Sequence, residues 1–132
     1  MHFGHPQQVV ITRVDGNQGP VCLGQRLSFQ CTTVGSAVLT WRSTAYIGSH
    51  LVQIGFFDNE PLNTPKTSPA FPDTVAELTS KGSGVLTSIL TVTVTSVNLN
   101  PSVTCINDDH GNETTFSFNV IGKLLPSLSA YV

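Results

Sequence analysis

The segment Gly24-Gln25-Arg26-Leu27-Ser28-Phe29-Gln30-Cys31-Thr32 holds one half-buried strand, Arg26 to Thr32. Gly24-Gln25 breaks the chain before it; then Leu27, Phe29 and Cys31 alternate with Arg26, Ser28 and Gln30. A period of two puts the first set on a core face and the second in water. The pattern returns at 37–43, where Leu39 and Trp41 fall inside and Thr40 and Arg42 outside. Trp41 stands ten residues after Cys31, and Cys105 follows 74 residues after Cys31 in Val103-Thr104-Cys105. Strands that each turn such residues to one face describe two sheets packed together, an all-β sandwich.

Working outward, residues 8–14 form a strand ended by the turn Asp15-Gly16-Asn17. Residues 50–57 form another, followed by a stretch with Pro61, Pro65, Pro69 and Pro72. Proline cannot donate to a central ladder, so 58–72 is expected as loop or ragged edge. A strand at 73–79 and a Lys81-Gly82-Ser83-Gly84 turn lead into 85–97, where Leu90, Val92 and Val94 alternate with Thr91, Thr93 and Thr95. β-branched residues on both faces suit a pleated surface. Strands at 102–107 and 113–122 flank the polar turn at 108–112, and the last places Phe116, Phe118 and Val120 inside. Nine short strands are expected, one of them a short edge strand around Cys22, and no helical period competes.

The 132 residues allow one domain with short tails. The expected division is a tail at 1–7, the sandwich at 8–122, and a C-terminal tail or inter-domain linker at 123–132. Only 11% of residues are charged and the net charge is −2, while Ser and Thr supply 29 of the 132. The surface is therefore polar but weakly charged, and scattered basic residues match a phosphate backbone poorly. Nucleic acid is excluded as a partner. Residues 1–8 lack the basic and apolar segments of a signal peptide, and no apolar run is long enough to span a membrane.

Two motifs carry a family resemblance over about residues 8–122. Gly24 to Cys31 resembles the glycine-to-cysteine approach of the immunoglobulin superfamily, and Leu39-Thr40-Trp41 resembles its tryptophan strand. The long Cys31–Cys105 span is similar to variable or intermediate sets. The resemblance implies a two-sheet antiparallel Greek-key β-sandwich, a disulfide between Cys31 and Cys105, and Trp41 packed against it. Closing a 74-residue loop contributes about 4 kcal/mol in the chain-entropy model. Val103 stands where the family usually carries a tyrosine, and joining-segment glycines are absent from 113–122. Both departures point away from an antigen-receptor variable domain and toward a divergent cell-surface module. Such a disulfide implies an oxidising compartment. With no export signal at its start, the chain is expected to be a module of a longer extracellular protein.

Cys22 is the odd cysteine, read either as a small buried filler or as a thiol that bonds outside its domain. Asn112-Glu113-Thr114 is a candidate N-glycosylation sequon in an exposed turn, whereas Asn63-Thr64-Pro65 is spoiled by its proline. His2, His5, His50 and His110 lack metal-site spacing, and Asp108-Asp109 offers too few oxygens for calcium. No nucleophile–base motif and no phosphate-cradling loop is present, so no catalytic site, cofactor or metal is expected. Phe56 and Phe57 are adjacent on a strand, so one must face outward. That ring is expected beneath the 58–72 loop; if bare, it would anchor an interface with Arg42 and Gln53 at its rim.

The functional expectation is an extracellular recognition or cell-adhesion module that binds another cell-surface protein or itself. The alternative is a structural spacer in a tandem array, extracellular or of the intracellular muscle type. Non-reducing peptide mapping is expected to recover the Cys31–Cys105 pair, and Cys31→Ala to cost about 2–5 kcal/mol. Recovery of a Cys22–Cys31 pair would overturn the architecture.

Overall fold

The computed structural model describes residues 8–15, 19–43, 52–68, 71–94, 102–109 and 111–123. His2, His5, His50, His110 and the tails at 1–7 and 124–132 lie outside the described residues. Eleven strands are described: β1 (Val9–Arg13), β2 (Val21–Leu23), β3 (Arg26–Val34), β4 (Val38–Ser43), β5 (Val52–Phe57), β6 (Lys66–Ser68), β7 (Phe71–Gly82), β8 (Val85–Thr93), β9 (Ser102–Asn107), β10 (Asn112–Ser117) and β11 (Val120–Lys123). One antiparallel sheet runs β1-β3-β8-β7-β6, the other β10-β9-β4-β5, and β2 pairs in parallel with β11.

The period of two holds where it was strongest. In β3 the burial alternates from Leu27 through Phe29 and Cys31 to Thr33, and in β8 from Leu86 through Ser88 and Leu90 to Val92. These faces meet Leu39, Trp41, Ile54, Phe56, Val103 and Cys105 of the other sheet in a single buried cluster. Cys31 and Cys105 are joined by a disulfide with their Cα atoms 6.4 Å apart. Because β3 and β9 are interior strands of their sheets, the bond ties the two layers through their middles.

Trp41 lies opposite Cys105 in the β4–β9 register. Its indole N–H crosses to the other sheet and donates to Ser88 Oγ at 2.9 Å, and Ser88 lies opposite Cys31. Ser88 in turn donates to the Glu77 carbonyl at 2.6 Å. A serine in the middle of an apolar face is thus the acceptor that lets an indole be wholly buried, since an unpaired N–H there would be costly.

Four expectations are refined. The 58–72 stretch contains the short strand β6, which hydrogen-bonds β7 at the sheet edge, and β7 itself begins at Phe71; an edge position tolerates the nearby prolines. The ladder of β8 ends at Thr93, because Val94 instead exchanges bonds with Gly24 and Gln25 (2.7 and 3.0 Å). The last strand is broken at Phe118-Asn119, where the Asn119 carbonyl accepts from Val21 N–H at 2.8 Å and delivers β11 to β2. Thr40, expected outside, is 5% exposed; its hydroxyl donates to the Asp108 carboxylate, and it lies so close to Gly55 that a Cβ there would come within 3.2 Å of the hydroxyl oxygen.

Turn chemistry agrees with the reading of 81–84. Ser83 and Gly84 both have positive φ (56° and 78°), the conformation a two-residue hairpin loop demands. Between β1 and β2 the chain leaves one sheet, and Arg13 holds the crossing. Its side chain is 1% exposed and bonds Asp15 at 2.7 and 3.1 Å and the Gly19 carbonyl at 2.8 Å.

Ser88→Ala is expected to lower stability by about 1–3 kcal/mol, by leaving the buried Trp41 N–H without its acceptor. Urea unfolding followed by tryptophan fluorescence measures this, and an unchanged midpoint would contradict it.

Candidate functional site

The outer face of the β10-β9-β4-β5 sheet follows directly from strand register. Val38, Thr40 and Arg42 of β4 lie opposite Phe57, Gly55 and Gln53 of β5. On the other side Thr40 and Arg42 lie opposite Ile106 and Thr104 of β9, which in turn face Glu113 and Thr115 of β10. The inner partners alternate with these, so Leu39 meets Phe56 in the core.

Register therefore sorts the two phenylalanines. Phe56 is 1% exposed and belongs to the core, so it is withdrawn as an interface residue; Phe57 is 58% exposed. The described part of the expected loop, residues 58–68, leaves the Phe57 ring exposed. Residues 58–66 instead turn back along the free edge of β5, held by Glu60 and Lys66. Phe57 N–H donates to Glu60 Oε2 at 3.0 Å, Lys66 Nζ donates to the Gly55 carbonyl at 2.8 Å, and the two side chains pair at 2.5 Å. The Lys66 ammonium also sits 4.8 Å from the centroid of the buried Phe56 ring.

Arg42 reaches across β9 to Glu113 of β10, with Nη2 2.8 Å from Oε1. Its Nε is buried and has no hydrogen-bond partner among the described residues. Gln53 is exposed beside it. Thr104 and Thr115 share a hydroxyl hydrogen bond of 2.8 Å. The face thus carries one apolar ring at the β5 end, one ion pair across its middle, and neutral hydroxyls between.

At the adjoining loop end, Asp108 and Asp109 brace the turns: Asp108 accepts from Thr40 and Asp109 Oδ2 accepts from Ala37 N–H. Asn107, wholly buried, caps the same turn by accepting from Asp109 N–H at 3.1 Å. Nothing in the sequence pattern singled Asn107 out, because one polar residue at the end of a strand looks like any turn residue. Asn112 is exposed at the start of β10, beyond this turn. Cys22 is a half-buried free thiol in β2, its backbone N–H bonded to Gln25 Oε1 at 3.1 Å.

Two small clefts lie elsewhere. One, about 240 Å³, opens beside Arg13, Phe116 and Phe118; the other, about 330 Å³, lies between Ser36, Asp58 and the Lys81–Gly84 hairpin. Among the described residues no three His, Cys, Asp or Glu side chains gather as a metal site. Among them, too, no helix is long and apolar enough to cross a membrane. No protein-family model matches the chain, and no curated protein matches it in sequence.

Folding shifts the protonation of Glu60. Burial pushes its carboxyl up, but the Lys66 hydrogen bond, the Phe57 N–H and the Lys66 charge outweigh it and hold the group below the ordinary value of 4.5. A carboxyl lowered by folding stabilises the fold above its unfolded value and loses that contribution as pH falls through the folded value. Thermal melts of wild type and Glu60→Gln are expected to differ above pH 4.5 and to converge below it. The difference is expected to be about 0.5 kcal/mol, the scale of an exposed ion pair. A gap that widens on acidification would contradict the assignment.

Proposed function

We propose that this chain is a divergent immunoglobulin-like recognition module that binds a protein partner through the outer face of the β10-β9-β4-β5 sheet. The reading of the family rests on the cysteine–tryptophan–cysteine pattern joined to a disulfide-pinned antiparallel sandwich. A buried disulfide is compatible with an extracellular or cell-surface setting.

The observation that carries the proposal is the bare ring of Phe57 beside Val38, on a face whose only ion pair among the described residues is Arg42–Glu113. Aromatic rings and arginines dominate interface energetics when a partner desolvates them. The unsatisfied Arg42 Nε adds a donor that a partner's acceptor can reach if the guanidinium turns outward. The opposite sheet is less suited. Its outer face carries the exposed Val10 but no exposed aromatic ring among the described residues, and its hydroxyls pair with each other, Ser28 with Thr91 and Thr32 with Thr87.

Multimerised chain applied to cultured cells tests the reading. Phe57→Ala and Arg42→Glu are each expected to cost about 2 kcal/mol, roughly a thirtyfold loss of binding, with unchanged circular dichroism. Gln30→Ala, on the other sheet, is expected to bind as wild type does. Equal binding by all three variants removes this face, and absence of binding by wild type favours a structural spacer.

A further inference from the structure

The free edge of β5 is filled, where a further strand would lie, by the 58–66 segment and two of its side chains. β5 is an outermost strand of its sheet, and β6, next in the chain, pairs with β7 of the other sheet. In an antiparallel ladder, alternate residues turn N–H and C=O away from the neighbouring strand. The Phe57 N–H and the Gly55 C=O are two such outward groups, and they bond Glu60 and Lys66. By the same alternation Gln53 also points outward. The Glu60 carboxylate thus stands in for a missing strand's carbonyl, and the Lys66 ammonium for its N–H. Lys81 secures the segment by donating to the Glu60 carbonyl at 2.6 Å.

From this geometry we infer that the edge of β5 is a strand-addition site self-complementary for a second copy of this chain, and that Glu60 and Lys66 latch it shut. The proposal is independent of the reading of the sheet face. Exposed edges are templates for pairing, and charged side chains laid on them are a known protection. A two-fold antiparallel pairing would set Gly55 against Gly55 and Gln53 against Phe57, matching donors to acceptors once the 57–60 turn opens, since the Phe57 carbonyl accepts from the Glu60 N–H at 3.2 Å in the single chain. Gly55 places no side chain at the crossing. The strand Val52–Phe57 carries no charge, so once the latch is released nothing on it repels an identical strand. Pairing would also lay the exposed Phe57 ring beside the partner's Gln53, giving it the cover it lacks in the single chain.

Sedimentation velocity on the whole chain is the test. Wild type is expected to sediment as a monomer. Glu60→Ala combined with Lys66→Met, which keeps the alkyl stem over Phe56, is expected to double the sedimenting mass in a concentration-dependent way. Adding Gln53→Pro, which removes an outward N–H and suits an edge strand, is expected to restore the monomer. A latchless variant that stays monomeric overturns the proposal; so does a dimer that Gln53→Pro leaves intact, or a wild type already paired through this edge. Hydrogen exchange on wild type gives a reading that does not depend on the double variant folding. The Phe57 amide is expected to exchange more slowly than in Glu60→Ala, and equal rates overturn the latch.

Discussion

Everything in this molecule hangs on a closed circuit through the core. Cys31 is bonded to Cys105 across the sheets, Cys105 lies opposite Trp41, Trp41 donates to Ser88 on the facing sheet, and Ser88 lies opposite Cys31. One covalent link, one buried hydrogen bond and two ladder pairings thereby fix the two layers in a single register. The disulfide acts largely on the unfolded chain by closing its long loop. The hydrogen bond acts on the folded one by removing the penalty of a buried indole N–H. With the centre fixed, Leu27, Phe29, Leu39, Phe56, Leu90 and Val103 fill the space around it.

A sandwich leaves its lateral edges open, and this chain, with few charges, spends several of them there. Arg13 and Asp15 hold the crossing from β1 to β2, and Glu60 with Lys66 lies along β5. The Thr114 hydroxyl donates to the Val9 carbonyl at 2.7 Å, joining β10 to β1 where the sheets meet. These contacts differ in kind. Arg13 is buried, so its pairing answers a real desolvation cost. Lys66 and Glu60 remain partly in water, where an ion pair contributes little to stability and more to shape. The outer face of the four-stranded sheet is left with a bare ring and little charge, a surface that owes its character to what these other charges are used for.

Residue pattern alone carried the strands at 26–32, 37–43 and 102–107, the inward Leu27, Phe29, Cys31, Leu39 and Trp41, and the hairpin at Ser83-Gly84. Those features are local: a period of two and a positive-φ requirement are written into neighbouring residues. Cysteine and tryptophan spacing carried the disulfide by resemblance, and Cys22's strand was read as a short edge, whereas β11 was read as the end of a single strand at 113–122 and its pairing with β2 was not. Three things needed the tertiary structure. Phe56 and Phe57 are equally apolar, so only the pairing of Leu39 with Phe56 and Val38 with Phe57 decides which faces water. Ser88 and Asn107 look like surface residues until a partner from another strand, an indole N–H or a turn amide, reaches them. The 58–66 segment reads as a loop because its bonds form no ladder: side chains and a turn tie it to β5, and single bonds tie it to Leu78 of β7 and to Lys81 farther along the chain. Alternation fixes which way a strand faces its own neighbours, but which strand lies beside it, and what fills an edge, is set by long-range packing that no short window of sequence contains.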